Sequence, residues 1–170
     1  MKIVLCGFMG CGKSSIGRNL AKILNIEFID MDNFIEKKEE LTVSEIFAQK
    51  GEAEFRRLET EAIKELMEKD GAVIASGGGT VMNPLNVEEF HKGNAKIYFL
   101  DVPLAALQER LKNDRKRPLL QKPNRREVIE KLYNERYDKY LKACDVRIDA
   151  GAPSLWLAKR MAEKIRNNEI

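Results

Sequence analysis

Residues 7–14 read GFMGCGKS, directly after the apolar run KIVLC at 2–6. The octet matches G-x-x-x-x-G-K-[ST] in full, and the residues that follow it, SIGRNLAKIL, carry a helical pattern. Strand, glycine-rich loop and helix, in that order, make a phosphate cradle. Gly7, Gly10 and Gly12 permit backbone angles and close approaches that a Cβ would block. Successive N–H groups can then converge with the helix N-terminus on an anion. Lys13 can reach the β- and γ-phosphates of a nucleoside triphosphate, and the Ser14 hydroxyl can ligate Mg²⁺. The thiol of Cys11 sits in the same loop near a helix N-terminus and Lys13, a setting that can make cysteine reactive. A small residue tolerated in a tight loop explains it equally.

Outward from the octet, short β-rich apolar runs alternate with helical patterns. Strands are expected at 2–6, 27–30, 72–76, 96–101 and 145–149. Helices are expected near 13–24, 43–49, 53–68, 87–92, 103–111, 125–141 and 153–167. Nearly continuous apolar strands, each followed by a helix, predict an α/β fold: a five-stranded parallel sheet flanked by helices on both faces. Ligands in such sheets bind beyond the carboxyl ends of the strands.

The 170 residues fit a single domain, and a formal charge of +3 is too weak to imply a nucleic-acid partner. No apolar run approaches the roughly 18 residues of a membrane span. The start directly on a strand leads us to expect no signal peptide. Three cysteines, Cys6, Cys11 and Cys144, have neither CxxC nor metal-ligand spacing, which fits a reduced, cytoplasmic protein.

Two further strand ends carry chemistry. FIDMD places Asp30 and Asp32 two residues apart, so both carboxylates can leave the sheet on one side. Acids beside a phosphate loop can position Mg²⁺ or orient an acceptor hydroxyl. Asp32 can also serve as the N-cap of a helix beginning at NFIEKK. SGGG at 76–79 lets backbone N–H groups approach a small polar ligand. Farther on, Arg136 falls on the apolar stripe of Ile129, Leu132, Tyr133 and Tyr140. A guanidinium there needs a partner, either a ligand carboxylate or an internal acid, unless the face is rotated to turn Tyr137 inward. The segment 112–126, KNDRKRPLLQKPNRR, holds seven Lys or Arg against one Asp without aromatic interleaving. That fits a closing lid better than a nucleic-acid patch, although a solvated charged face also accounts for it.

GFMGCGKSSIG, DMD, IFAQKGEAEFRRLE, SGGG and KRPLL together resemble the shikimate kinase family, in that family's order, from residue 5 to about 140. The resemblance implies a nucleoside-monophosphate-kinase-like fold and ATP-dependent phosphorylation of the 3-hydroxyl of shikimate, on the route to chorismate and the aromatic amino acids. It implies a core of 1–30, 62–111 and 142–170, a shikimate-binding segment at about 31–61, and a lid at about 112–125. By the same resemblance Lys13, Asp32 and Arg117 are catalytic. Gly10, Cys11, Gly12, Lys13, Ser14, Ser15, Arg110, Arg117 and Pro153 would hold ATP, and Ser14 and Asp30 would hold Mg²⁺. Asp32, Arg56, Glu59, Arg136 and Gly77, Gly78 and Gly79 would meet shikimate, with Phe47 and Phe55 walling its ring or simply packing. Glu59, three residues after Arg56 on a helix, can hold that guanidinium. Pro153 can instead be a first-turn helix proline, Arg110 a surface residue, and Trp156 part of the packing of the last helix. The expected partners are shikimate and ATP, with no nucleic acid and no membrane, for a monomer. The alternatives are another small-molecule kinase of this fold, such as a gluconate kinase, and a nucleotide-dependent nucleic-acid-binding module.

Overall fold

The structure, a computed structural model, describes residues 1–115, 117 and 120–170. Five strands are β1 (Lys2–Cys6), β2 (Glu27–Asp30), β3 (Ala72–Ala75), β4 (Ala95–Asp101) and β5 (Val146–Asp149). They form one parallel sheet in the order β2-β3-β1-β4-β5. Among the described residues eight helices surround it: α1 (Lys13–Leu24), α2 (Met31–Glu39), α3 (Val43–Lys50), α4 (Glu52–Met67), α5 (Pro84–Lys92), α6 (Leu104–Leu111), α7 (Arg125–Ala143) and α8 (Ser154–Arg166). A 3-10 turn, Thr80–Met82, follows β3.

The central strand β1 has β3 on one side and β4 on the other, so the sheet's connections diverge at its carboxyl end. That switch point opens a crevice, and the glycine-rich loop leaves β1 directly into it. Ile3, Val4 and Leu5 are wholly buried, as expected for a strand covered on both faces. A second, smaller apolar cluster of Ile35, Ile46, Phe55, Leu58 and Ala62 binds α2, α3 and α4 to one another. Helix α3 is closed by a capping box, in which Thr42 and Glu45 satisfy each other's backbone N–H groups.

Three local expectations are corrected. The run 31–39 is a helix, α2, and its N-cap is Asp30, whose carboxylate accepts from the Asn33 N–H at 3.4 Å; Asp32 lies inside the first turn. Pro153 is the N-cap of α8, with Ser154 the first helical residue. Trp156 is 54% exposed under the Arg160 guanidinium, because the buried stripe of α8 runs through Leu157, Met161 and Ile165, one residue away. On α7 both open alternatives hold in part: Arg136 and Tyr137 are each half-buried, and Tyr137 packs edge-on against Phe99. Among the described residues no helix is long and apolar enough to cross a membrane, and Cys6, Cys11 and Cys144 are all free thiols.

Candidate active site

Gly10 and Gly12 adopt φ of +78° and +97°, the left-handed region in which a Cβ is strained, and so turn the loop back over β1. Gly12 caps α1 without any side-chain hydrogen bond, so the first-turn amides of that helix face the crevice with their partial positive charge. The Lys13 ammonium donates to the carbonyls of Gly7 (2.8 Å) and Phe8 (3.1 Å). Cys11 is packed away, 1% exposed, with its Sγ 3.7 Å from Lys13 Nζ. The structure thus favours a small packed residue over a reactive thiol at this position.

Beside the loop, the Ser14 hydroxyl donates to Asp30 Oδ2 at 2.8 Å. Asp32, one step into α2, has its carboxyl pushed up to about 6. Burial is the main cause, reinforced by the negative charges of Asp30 and Glu59 and opposed by Lys13.

The strip Gly77-Gly78-Gly79 touches a different functional group at each residue. A Cβ on Gly77 would lie 2.9 Å from Thr80 Oγ1, 3.0 Å from Glu59 Oε1 and 3.3 Å from Asp32 Oδ1. On Gly78 it would lie 3.6 Å from Arg136 Nη1 and 3.8 Å from the Met9 nitrogen of the phosphate loop. On Gly79 it would collide with the Arg56 guanidinium at 2.8 Å. Since Gly79 has an ordinary φ of −105°, its substitution tests the guanidinium rather than the backbone. On the acceptor-binding role that the family resemblance implies for Arg56, we predict that Gly79→Ala raises KM for the acceptor about tenfold while KM for ATP stays within twofold, read by steady-state kinetics.

Two arginines from different helices reach this strip. Arg56, on α4, is held by Glu59 at 2.5 Å and by Glu52 at 3.4 Å. Arg136, on α7, donates to the Gly78 carbonyl at 3.3 Å, and the Tyr140 hydroxyl donates to the same oxygen at 2.5 Å. Burial pushes the Tyr140 hydroxyl pKa upward, which keeps it a donor. Aromatic packing fixes α7: Tyr140 stacks on Phe99 and Tyr133 meets Phe8 of the phosphate loop edge-on. Asp101, at the end of β4, adds a polar tether, accepting from the Tyr137 hydroxyl at 3.0 Å and from Arg147 Nε at 2.7 Å.

These groups line two adjoining clefts. The first, about 310 Å³, runs along Gly10, Gly12, Lys13, Ser14, Ser15 and Asp30. The second, about 620 Å³ and walled by apolar surface, holds Phe47, Phe55, Arg56, Glu59, Gly79 and Arg136. Met9, Asp32, Gly77, Gly78 and Arg117 belong to both, so the boundary between the clefts is made of them. Arg117 is held by Asp114, which pairs with its guanidinium and accepts its N–H at 3.0 Å. The other residues of KRPL, Lys116, Pro118 and Leu119, lie outside the described residues. Arg110 donates to the Gly10 carbonyl at 3.2 Å, and neither it nor Pro153 lines either cleft.

Met9, Val43, Ser44 and Ala48 also line the second cleft without being marked in the sequence. Met9 stands at a free position of the loop motif and the other three on an unremarkable helix, so nothing local marks them. Nor does anything local mark Thr80, Asn86 and Asp101, whose polar side chains are buried.

A sequence model described as "Shikimate kinase" matches residues 9–166. The shikimate kinase of Aromatoleum aromaticum is 42% identical over 168 residues, covering 99% of this chain and 95% of that protein. That of Aquifex aeolicus is 38% identical over 170 residues, covering 100% and 99%. Among solved structures, the shikimate kinase from Acinetobacter baumannii in complex with shikimate superposes with a TM-score of 0.91 at 32% identity, covering 99% of this chain and 94% of that one.

Proposed function

This chain belongs to the shikimate kinase family, and on that premise we propose which of its residues do what in the reaction. It transfers the γ-phosphoryl group of ATP to the 3-hydroxyl of shikimate, giving shikimate 3-phosphate and ADP. The observation that carries the assignment of roles is the glycine strip, which brings the phosphate loop, Asp32, Arg56 and Arg136 within contact of three consecutive residues.

The first cleft is the donor site. The amides of the loop and the Lys13 ammonium receive the β- and γ-phosphates, with Ser15 on the same helix turn. Arg110 and Pro153 are assigned to the adenine end. Arg117, on the boundary between the clefts, is placed to meet charge on the phosphoryl group in flight, and the basic lid around it to exclude water as a competing acceptor.

Ser14 and Asp30 offer two hard oxygen donors 2.8 Å apart. Among the described residues no cluster of three or more His, Cys, Asp or Glu could hold a metal by itself. Such a sparse oxygen set suits Mg²⁺, which keeps its waters and takes its remaining ligands from phosphate. Bound there, Mg²⁺ would neutralise charge on the phosphate oxygens.

The second cleft is the acceptor site. Arg56 and Arg136 grip the carboxylate, Phe47 and Phe55 wall the ring, and the Gly78 and Gly79 amides give polar contacts. Anchored at its carboxylate end, the acceptor turns its hydroxyl toward Asp32, which orients it and accepts its proton. A loose phosphoryl-transfer transition state asks mainly for positioning, so orientation is the larger part of that role. Residues 31–61 supply the acceptor side, 112–125 the lid, and the remainder the core. The protein is proposed to act as a cytoplasmic monomer without a nucleic-acid partner.

A coupled assay for ADP release against shikimate, gluconate and the nucleoside monophosphates tests this reading. Turnover with shikimate at least a hundredfold above the others is expected. Equal or faster turnover with gluconate or a nucleotide would refute it.

A further inference from the structure

Glu59 is 1% exposed, yet its carboxylate satisfies two partners on opposite sides. One oxygen takes Arg56 at 2.5 Å, and the other takes the Thr80 hydroxyl at 2.6 Å. Thr80, 0% exposed, is itself pinned: its carbonyl accepts from Asn86 Nδ2 at 2.9 Å. The Asn86 side-chain oxygen in turn accepts from the Thr60 hydroxyl at 2.7 Å, which returns the chain of bonds to α4 one residue after Glu59. The result is a closed, buried polar ring joining α4, the 3-10 turn after the glycine strip, and α5.

We propose that Thr80 is a positioning residue for acceptor binding. It fixes the rotamer of Glu59, and through it the direction in which Arg56 presents its guanidinium to the acceptor carboxylate. The proposal rests on the reading of Arg56 as a carboxylate binder given above.

The physical case is one of uncompensated freedom. A lone arginine on a helix surface samples many rotamers, and a carboxylate three residues away restrains it only if that carboxylate is itself fixed. Buried in a low-dielectric pocket, the Thr80 hydroxyl bond to an ionised oxygen is strong and directional. Asn86 prevents the turn from shifting to relieve it. Gly77 is the corner where this ring meets the Asp32 carboxylate, since its Cβ would touch Thr80, Glu59 and Asp32 together. The acceptor arginine is therefore aligned by the same turn that carries the glycine strip.

Thr80→Val keeps the shape and removes the donor. It is expected to raise KM for shikimate about tenfold, with KM for ATP unchanged and kcat within about twofold, and Thr80→Ser is expected to restore the wild-type value. If the valine variant does not fold, Thr80→Ala and Asn86→Ala carry the same expectation, with melting curves identifying which proteins are native. The decisive arm is a double-mutant cycle with Arg56→Ala. In that background Thr80→Val is expected to add nothing to KM for shikimate. A folded Thr80→Val protein with wild-type KM for shikimate overturns the proposal, as does an equal tenfold effect with Arg56 already removed. If Arg56→Ala alone leaves KM for shikimate unchanged, the carboxylate reading fails, and the proposal falls with it.

Discussion

Asp32→Asn loses about 10²–10⁴-fold in kcat while ATP still binds with near-native affinity, and the same protein melts at a higher temperature at pH 8. Both effects come from one environment. Burial together with Asp30 and Glu59 lifts the carboxyl from 3.8 to about 6, while Lys13 holds it from going higher. Because the folded value lies above the unfolded one, the fold prefers the neutral acid. Stability from this group is complete below pH 3.8 and is lost as the pH rises through about 6. Keeping the charge at pH 8 costs the fold about 3 kcal/mol. The asparagine variant escapes that cost, so its advantage in melting temperature should be largest at pH 8 and vanish near pH 4. The wild-type rate should show the opposite dependence, falling with an acidic limb near pH 6 as Asp32 takes a proton. Wild-type turnover from the variant, or a melting temperature below wild type at pH 8, would contradict this account.

The second large effect is at Arg136. Arg136→Ala should lower kcat/KM for shikimate by about 10²–10³-fold, the cost of removing a charged partner from a buried carboxylate. ATP binding should change by less than about twofold, because Arg136 is absent from the lining of the donor cleft. The fold should survive, since the Gly78 carbonyl keeps the Tyr140 hydroxyl at 2.5 Å when the arginine at 3.3 Å is gone. Measuring kcat/KM for both substrates, with a melting curve, separates lost recognition from lost structure. An equal loss toward ATP would place Arg136 in the donor site instead.

The donor half of this molecule was legible because its chemistry is local. Three glycines, a lysine and a serine at fixed spacing after an apolar strand specify the loop without help from the rest of the chain. The acceptor half is assembled from distant segments and was legible mainly through the family resemblance. Arg56, Gly78 and Arg136 come from α4, the turn after β3 and α7, and only the fold brings them together. Helix α2 shows in the sequence only as a run that Asp32 could cap, because its nine residues bury just Met31, in the main core, and Ile35, in the cluster shared with α3 and α4. Asp32 looked like a cap because acids at strand ends commonly are, but the sheet ends such that Asp30 takes the cap and Asp32 is turned inward. Thr80, Asn86 and Asp101 read as ordinary polar residues of loops and strand ends, and their importance lies wholly in being buried and bonded.

In the proposed reaction an acceptor gripped at its carboxylate by Arg56 and Arg136 turns one hydroxyl to Asp32 across the glycine strip. The position of phosphorus in the product, read by phosphorus–proton coupling in NMR after complete reaction with ATP, reports which hydroxyl was presented. Phosphate on the 3-oxygen of shikimate alone is the predicted result. Phosphate spread over the 4- and 5-oxygens, or released as inorganic phosphate, would contradict it.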